Sequence, residues 1–314
     1  MVDVRSVLPD LAAESGELDD LVSGLAEEQW ALDTPAEGWT IAHQIAHLAW
    51  TDEQSLVAVT RPEEFAERLQ SLASVANPAD LVDEGAAEGA KQPPAELLAA
   101  WRAGRTELND ALAAVPEGTK VPWFGPPMSS ASMATARIME TWAHCQDVAD
   151  ALGVVRVPTS RLRHVAHIGV RARGFAYAVN GLPAPSEEIR VVLTAPDGQT
   201  WTWGPEDASE RVTGRALDFC LLVTQRRHRD DTDVTAQGAA AEEWLSIAQA
   251  FAGPPGNGRK PTREGSGRPS RERRRPSEGG PEARLSGRIG DGRIEGAAIA
   301  DDPASSGRHG GQFA

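Results

Sequence analysis

Cysteine, lysine and aromatic residues are scarce in this sequence, and long apolar runs are missing. The two cysteines, Cys145 and Cys220, are too few for the disulfide framework of a small secreted protein, so we expect two reduced, buried thiols. No stretch approaches the roughly 18 consecutive apolar residues of a transmembrane helix, and the N-terminus has no apolar signal-peptide core. These absences predict a cytoplasmic protein that does not span a membrane.

Negative charge dominates the composition. The chain has 46 Asp and Glu against 31 Lys and Arg, which gives a net charge of −15 over 314 residues. This balance argues against a nucleic acid or an anionic membrane as the partner of the main body, because both carry negative charge themselves.

The segment 254–314 differs in composition from the rest of the chain. It contains 13 Gly and 7 Pro, and its 12 basic residues outnumber its 8 acidic ones. So few apolar side chains cannot bury enough surface to offset the ordering entropy, so the sequence predicts a disordered tail. Its basic cluster Arg271, Arg273, Arg274 and Arg275 leaves nucleic acid open as a weak partner of the tail alone, but we favour a solvated extension.

Apolar residues recur at helical spacing through the first 155 residues. Long amphipathic helices are predicted over 4–25, after an N-cap at Thr40, and over 94–115 and 130–152, with short helices around 62–90. Four long helices joined by irregular connections predict a four-helix bundle.

The pattern changes after Gly153. The β-rich runs IRVVLTA and TWTW flank a turn at Pro196-Asp197-Gly198, and helical patterns occur over 160–180, 214–225 and 240–251. We therefore predict an α+β fold with three parts: the helical bundle over 1–155, a smaller α+β domain with a short antiparallel sheet over 156–253, and the tail.

Two pairs of residues in the helical region have the spacing of metal ligands. His43 and His47 lie four apart on the second helix, and Glu140 and His144 lie four apart on the fourth, so each pair shares one helix face. A Glu and a His on one helix, with a third donor from a facing helix, make a three-ligand site that leaves a position open for water or substrate. Spacing alone favours the simpler interpretation, in which these side chains are exposed or hydrogen-bonded.

A family resemblance changes that balance. The frame E-G-W-T-x-x-x-x-x-A-H-L-A at 37–49, followed by M-E-T-W-A-H-x-x-D-V-A at 139–149, resembles the DinB-like metal-binding bundle. More closely, the chain resembles the mycothiol-dependent maleylpyruvate isomerase family. The resemblance implies that His47, Glu140 and His144 bind a divalent metal ion, with zinc favoured. His43 falls on no ligand position of the family, so we interpret it as a supporting or incidental residue.

The resemblance also implies a chemistry. In that family mycothiol, a low-molecular-weight thiol, reacts with a small-molecule electrophile, and a metal ion lowers the pKa of the thiol. The resulting hypothesis is a thiol-dependent transferase or isomerase. The alternatives are a metal-binding protein without turnover and a scaffold of the same fold. Neither the substrate nor the oligomeric state follows from the sequence.

The remaining candidates receive structural interpretations. The segment around 188–229 is similar to a wyosine-base-formation domain, but the chain has no cysteine triplet of the radical type, so we discount tRNA modification. We expect Cys145 to be a core residue and Arg137 to be a weak candidate for binding a substrate carboxylate. Four further residues receive a structural interpretation: His164, His167, Trp201 and Trp203. Four others are interpreted as a solvated helix end, with contact to an anionic substrate as the alternative: Arg226, Arg227, His228 and Arg229.

Overall fold

A computed structural model describes residues 3–72, 78–256 and 258–262, and its fold belongs to the predicted α+β class. The first part of the described chain is helical, and a second part combines helices with a small sheet. Most of the predicted disordered tail, 263–314, lies outside the described residues. Within the described ranges, no helix has the length and apolarity needed to cross a membrane.

The described residues of the helical part form six α-helices, and the two that carry the candidate ligands have capped starts. Thr40 is the N-cap of the second long helix, as predicted, and Ser129 caps the last of the six through a hydrogen bond to the backbone of Ser132. Gly153 ends that last helix in a left-handed conformation with φ of +67°, which glycine adopts without strain. The six helices are α1 (Leu8–Val22), α2 (Ile41–Thr60), α3 (Pro62–Leu72), α4 (Pro78–Gly89), α5 (Pro94–Ala114) and α6 (Ser130–Leu152).

Helix α2 packs against α5, α4 and α6, and α1 packs against α6. Short 3₁₀ turns at Val4–Ser6 and Glu27–Ala31 precede α1 and α2. The loop between α5 and α6 contains a small antiparallel hairpin that the sequence pattern did not predict, formed by β1 (Lys120–Val121) and β2 (Met128–Ser129).

The second part begins with two helices where one was predicted over 160–180. The helix is interrupted at Ala172, between α7 and α8. The nearby Gly174 favours this interruption because glycine has a low helix propensity. The remaining helices are α9 and α10, followed by no further α-helix in the described residues. The bounds are α7 (Leu162–Arg171), α8 (Arg173–Val179), α9 (Ala216–Val223) and α10 (Ala239–Ile247).

The sheet has four strands in the order β4-β3-β5-β6, and it is mixed rather than antiparallel as predicted. The hairpin of β3 and β4 is antiparallel, but β3 pairs with β5 in parallel. The loop after β4 passes round the start of β3, where Gly204 lies so close that an added Cβ would be 2.2 Å from the carbonyl oxygen of Ile189. The strands are β3 (Ile189–Thr194), β4 (Thr200–Trp203), β5 (Glu210–Arg215) and β6 (Thr235–Gln237).

Helix α6 belongs to the cores of both parts. Its Met139, Trp142 and Ala143 pack with the sheet and with α7 and α9, while Cys145 and Val148 pack with α1, α2 and α5. The predicted boundary near residue 155 stays a prediction. Because α6 contributes to both cores, its residues lie close to the junction of the two parts.

Candidate metal centre

The structure brings together the three side chains that the resemblance indicated. His47 lies on α2, and Glu140 and His144 lie one turn apart on α6, with one potential ligand atom from each within 4.8 Å of the others. The Nε2 atoms of His47 and His144 are 3.6 Å and 3.4 Å from the same carboxylate oxygen of Glu140. Two facing helices therefore converge three donors on one point.

These distances suit a shared cation better than hydrogen bonds. They exceed the 2.7–3.2 Å range typical of N–H···O bonds. Two ligands that each lie about 2.0–2.1 Å from a tetrahedral zinc ion are about 3.3 Å apart. Both ring nitrogens of His47 are buried and have no hydrogen-bond partner among the described residues. A buried imidazole normally satisfies its polar atoms, so this histidine fits a metal ligand.

A chain of hydrogen bonds sets the tautomer of His144. The hydroxyl of Thr34 donates to the carbonyl oxygen of Trp39 (2.7 Å), so it accepts from the amide Nε2 of Gln44 (2.8 Å). The Nδ1–H group of His144 then donates a hydrogen bond to the Oε1 atom of Gln44, at 2.5 Å. The lone pair of His144 is left on Nε2, toward Glu140, as a metal ligand requires.

The electrostatics keep His144 and Glu140 in the forms that bind metals. Burial lowers the pKa of His144 to about 4, and the neighbouring charge of His47 adds to the effect, so the imidazole is neutral near pH 7. Burial alone would raise the pKa of Glu140, but the neighbouring imidazoles of His144 and His47 outweigh it and hold the pKa well below its usual range. A carboxylate and a neutral imidazole therefore face each other.

Aromatic rings form a wall of the site. The Trp39 ring stacks near His144 with centroids 6.0 Å apart and lies 5.4 Å from the ring of His47. His43 does not join the three donors, because its Nδ1 lies 2.8 Å from the hydroxyl of Thr40 and accepts from the Thr40 backbone N–H at the start of α2. Its place in a helix cap explains why it falls outside the ligand set.

Arg137 and Cys145 are both buried. The guanidinium of Arg137 forms an ion pair with Asp52 (2.8 Å), one turn further along the contact of α2 with α6, so it is already occupied by a carboxylate of the protein. Cys145 belongs to the hydrophobic core, as predicted, and burial raises the pKa of its thiol to about 12.

The arginines after α9 do not form the solvated helix end that we favoured. Arg226 donates to the fully buried Asp147 of α6 at 2.8 Å, and Arg227 pairs with Asp150 at 2.7 Å. Arg229 turns instead to Glu242, at 2.7 Å. The charge of Arg226 also contributes to the low pKa of His144, so this arginine lies near the three donors.

The histidines and tryptophans of the second part have structural partners. His164 is 2.8 Å from Asp10 of α1, and His167 accepts a hydrogen bond from the indole of Trp203 at 3.2 Å. Trp201 is buried in the core of the second part, as expected. His228 starts a 3₁₀ turn, where its Nδ1 accepts from the backbone N–H of Asp230.

A second group of ligand-type residues lies where α1 packs against α6. One potential ligand atom each from Glu14, Glu17 and Cys145 lies within 4.8 Å of the others. Two arginines cross over these carboxylates: Arg156 contacts Glu14 and Glu17 at 2.5 and 2.7 Å, and Arg161 contacts them at 2.6 and 2.5 Å. The group joins α1 to the segment that follows α6.

Known proteins resemble both parts of the chain. The family profile described as the mycothiol maleylpyruvate isomerase N-terminal domain matches residues 11–149, which contain all three donors. The chain belongs to the mycothiol-dependent maleylpyruvate isomerase family. A second profile, described as wyosine base formation, matches residues 185–237 of the second part. Uncharacterized proteins of Mycobacterium tuberculosis strains H37Rv and CDC 1551 are each 58% identical over 259 residues, which is 82% of this chain and 100% of each relative.

Solved structures of this family have the same fold. The crystal structure of the mycothiol-dependent maleylpyruvate isomerase has a TM-score of 0.52 and 18% sequence identity, and the match covers 75% of this chain and 93% of that chain. A histidine-to-alanine mutant of that isomerase gives a TM-score of 0.50 with the same identity and coverage. At this identity the likeness concerns the fold.

Sequence reasoning missed the residues that support the three donors. Gln44 and Thr34 were not singled out, although Gln44 lies one turn before His47 and is a fully buried polar residue. The signal available was a run of polar residues on the inner face of α2, where a helix of this kind normally presents apolar side chains. Asp147, one turn after His144 on α6, is also a fully buried polar residue and was not singled out either.

Proposed function

We propose that this protein binds a divalent metal ion, zinc in the first instance, through His47, Glu140 and His144, and that it is a mycothiol-dependent transferase or isomerase. The observation that carries the proposal is the convergence of three donors with both nitrogens of His47 unpartnered among the described residues. The three-donor set leaves a coordination position for an exogenous ligand, which is typical of catalytic rather than structural zinc sites.

When bound there, a divalent ion would lower the pKa of a coordinated thiol and polarise a substrate carbonyl. The protein's own residues position this chemistry. Gln44 holds the ring of His144 with its Nε2 lone pair toward Glu140, and Trp39 covers the two imidazoles. Because Glu140 carries a full negative charge, the three-ligand set neutralises half the charge of a divalent cation.

The thiol in this proposal comes from outside the protein. Both cysteines are fully buried, and burial raises the pKa of Cys145 to about 12 and that of Cys220 well above its usual value. A buried thiol of this kind supplies almost no thiolate at neutral pH. The family's co-substrate, mycothiol, fits this requirement, and a small-molecule electrophile is the second partner.

The proposal keeps the cytoplasm as the compartment, because two reduced thiols and an external low-molecular-weight thiol belong to a reducing environment. Nucleic acid has no part in the proposed activity, because the net negative charge of the chain disfavours binding to a polyanion.

Turnover assays with mycothiol test the proposal. Zinc-loaded protein is incubated with mycothiol and either maleylpyruvate, to detect isomerisation, or an aryl halide, to detect transfer. We expect turnover with one of them, its loss in His144→Ala, and its retention in His164→Ala, whose histidine pairs with Asp10 outside the three donors. A protein that binds zinc but turns over neither compound supports the non-catalytic alternative, a metal-binding or scaffold protein of the same fold.

A further inference from the structure

The segment that follows Gly253 returns to the helical part beside the three donors. Arg259 donates from one guanidinium nitrogen to Asp147 at 2.8 Å and from another to the backbone carbonyl of Pro35. Asp147 is fully buried on α6, one turn after His144. Pro35 belongs to the loop 33–40 that leads into α2.

This contact is part of a larger junction. One oxygen of Asp147 contacts Arg259 and the other contacts Arg226. The carboxylate therefore binds one arginine that follows α9 and one that follows α10. Further along, Thr262 donates from its backbone N–H and its hydroxyl to Asp231, at 2.9 and 2.8 Å. The segment therefore contacts both parts of the described chain, and Arg259 makes the contact with the helical part.

The loop 33–40 forms part of the wall and the support of the site. It carries Trp39, whose ring lies against His47 and His144, and Thr34, whose hydroxyl starts the hydrogen-bond chain through Gln44. Arg259 therefore connects this loop with the helix that carries two of the donors.

We propose that Arg259 is a positioning residue, which ties the loop 33–40 to α6 and thereby keeps Trp39 closed over the ion held by His47, Glu140 and His144. The inference rests on the proposed metal site. Residue 259 lies outside both matched family segments, 11–149 and 185–237.

Arginine suits the position for a geometric reason. Its planar guanidinium has several fixed donors, so one side chain reaches a carboxylate and a carbonyl at once, whereas the ammonium of lysine is a single compact group. The variant Arg259→Lys should therefore keep the contact with Asp147 and lose part of the tie to Pro35. The exposed neighbour Lys260 supplies a matched control on the same segment.

Two measurements on Arg259→Ala test the proposal. The first is hydrogen–deuterium exchange of the metal-free protein, which reports loop closure without any ion. The second is the rate at which a chelator removes zinc from the loaded protein. We expect exchange within 33–40 and zinc release to rise on the order of tenfold, since a charge-assisted hydrogen bond is lost. Arg259→Lys should lie between, and Lys260→Ala should match the native chain.

Unchanged exchange in 33–40 for Arg259→Ala overturns the proposal, as does an increase that Lys260→Ala reproduces. An unchanged unfolding temperature with faster local exchange supports it, because a role in general stability would move both. If the native protein binds no zinc, the proposed function fails, and the exchange measurement still decides whether Arg259 holds the loop.

Discussion

Two groups of ligand-type residues include side chains of α6, and they differ in what faces their charges. The first group, His47, Glu140 and His144, has one carboxylate and two imidazoles, and no arginine is paired with it among the described residues. In the second, around Glu14 and Glu17, two arginines already contact both carboxylates.

Proximity of donors alone does not define a metal site in this protein. Both groups place three donors within 4.8 Å, so distance does not separate them. The second group contains its own cations, and an added divalent ion would be repelled by Arg156 and Arg161. Among the described residues, the first group has buried ring nitrogens without a hydrogen-bond partner, those of His47, and an ion would satisfy one of them. We therefore interpret the second as an ionic joint between α1 and the segment after α6.

Removing a cation from the ionic joint should have the largest effect. In Arg156→Ala the fully buried Glu14 loses one of its two partners, and breaking a buried ion pair costs about 3–5 kcal/mol. Urea unfolding should show this loss of stability. Arg163→Ala, an exposed arginine on α7, should cost less than about 1 kcal/mol. A similar small loss for both variants would contradict the assignment of the joint.

The pH dependence of the metal-free protein should be set by the other group. The pKa of His144 is about 4 in the folded protein, against the ordinary histidine value of 6.5 that we take for the unfolded chain. As the pH falls from 6.5 to about 4, the unfolded chain takes up a proton that the folded protein does not, so stability decreases by at most about 3 kcal/mol. The low pKa of Glu140 acts in the same direction at lower pH.

Chemical unfolding with a chelator present, at several pH values, measures this slope. The variant His144→Gln should flatten it, and His164→Ala should leave it in place. A slope that persists unchanged in His144→Gln would assign the pH dependence to other residues.

Support for the ligands should have a smaller effect. Gln44→Ala removes the acceptor that orients His144, and the loss of such a supporting contact typically weakens metal binding by about 10–100-fold. Isothermal titration with zinc measures the change. Gln54→Ala, on the same helix and bonded to Arg68, is the matched control and should bind zinc like the native chain. Equal weakening in both variants would point to a general effect on α2.

Much of the fold follows from local sequence signals. The predicted bounds of α6, 130–152, agree with the observed helix, whose ends are capped by Ser129 and Gly153 through contacts with neighbouring residues alone. The parallel pairing of β3 with β5 was missed, since it depends on a crossover around the start of β3 and no local pattern specifies it.

The candidate site divides in the same way. His47, Glu140 and His144 were found by helical spacing and family resemblance. The contacts that surround them were not, because Arg226 and Arg259 reach Asp147 from positions 79 and 112 residues away. Such long-range ion pairs leave no periodic signal, and a buried aspartate resembles an exposed one in sequence.

The most direct test of the account is the metal content of the purified protein by elemental analysis after incubation with zinc. We predict about one ion per chain in the native protein, its loss in His47→Ala and in His144→Ala, and its retention in Cys145→Ala, which alters the arginine-covered group instead. A native chain that remains metal-free, or an ion that is lost in Cys145→Ala and kept in the histidine variants, would contradict the central claim.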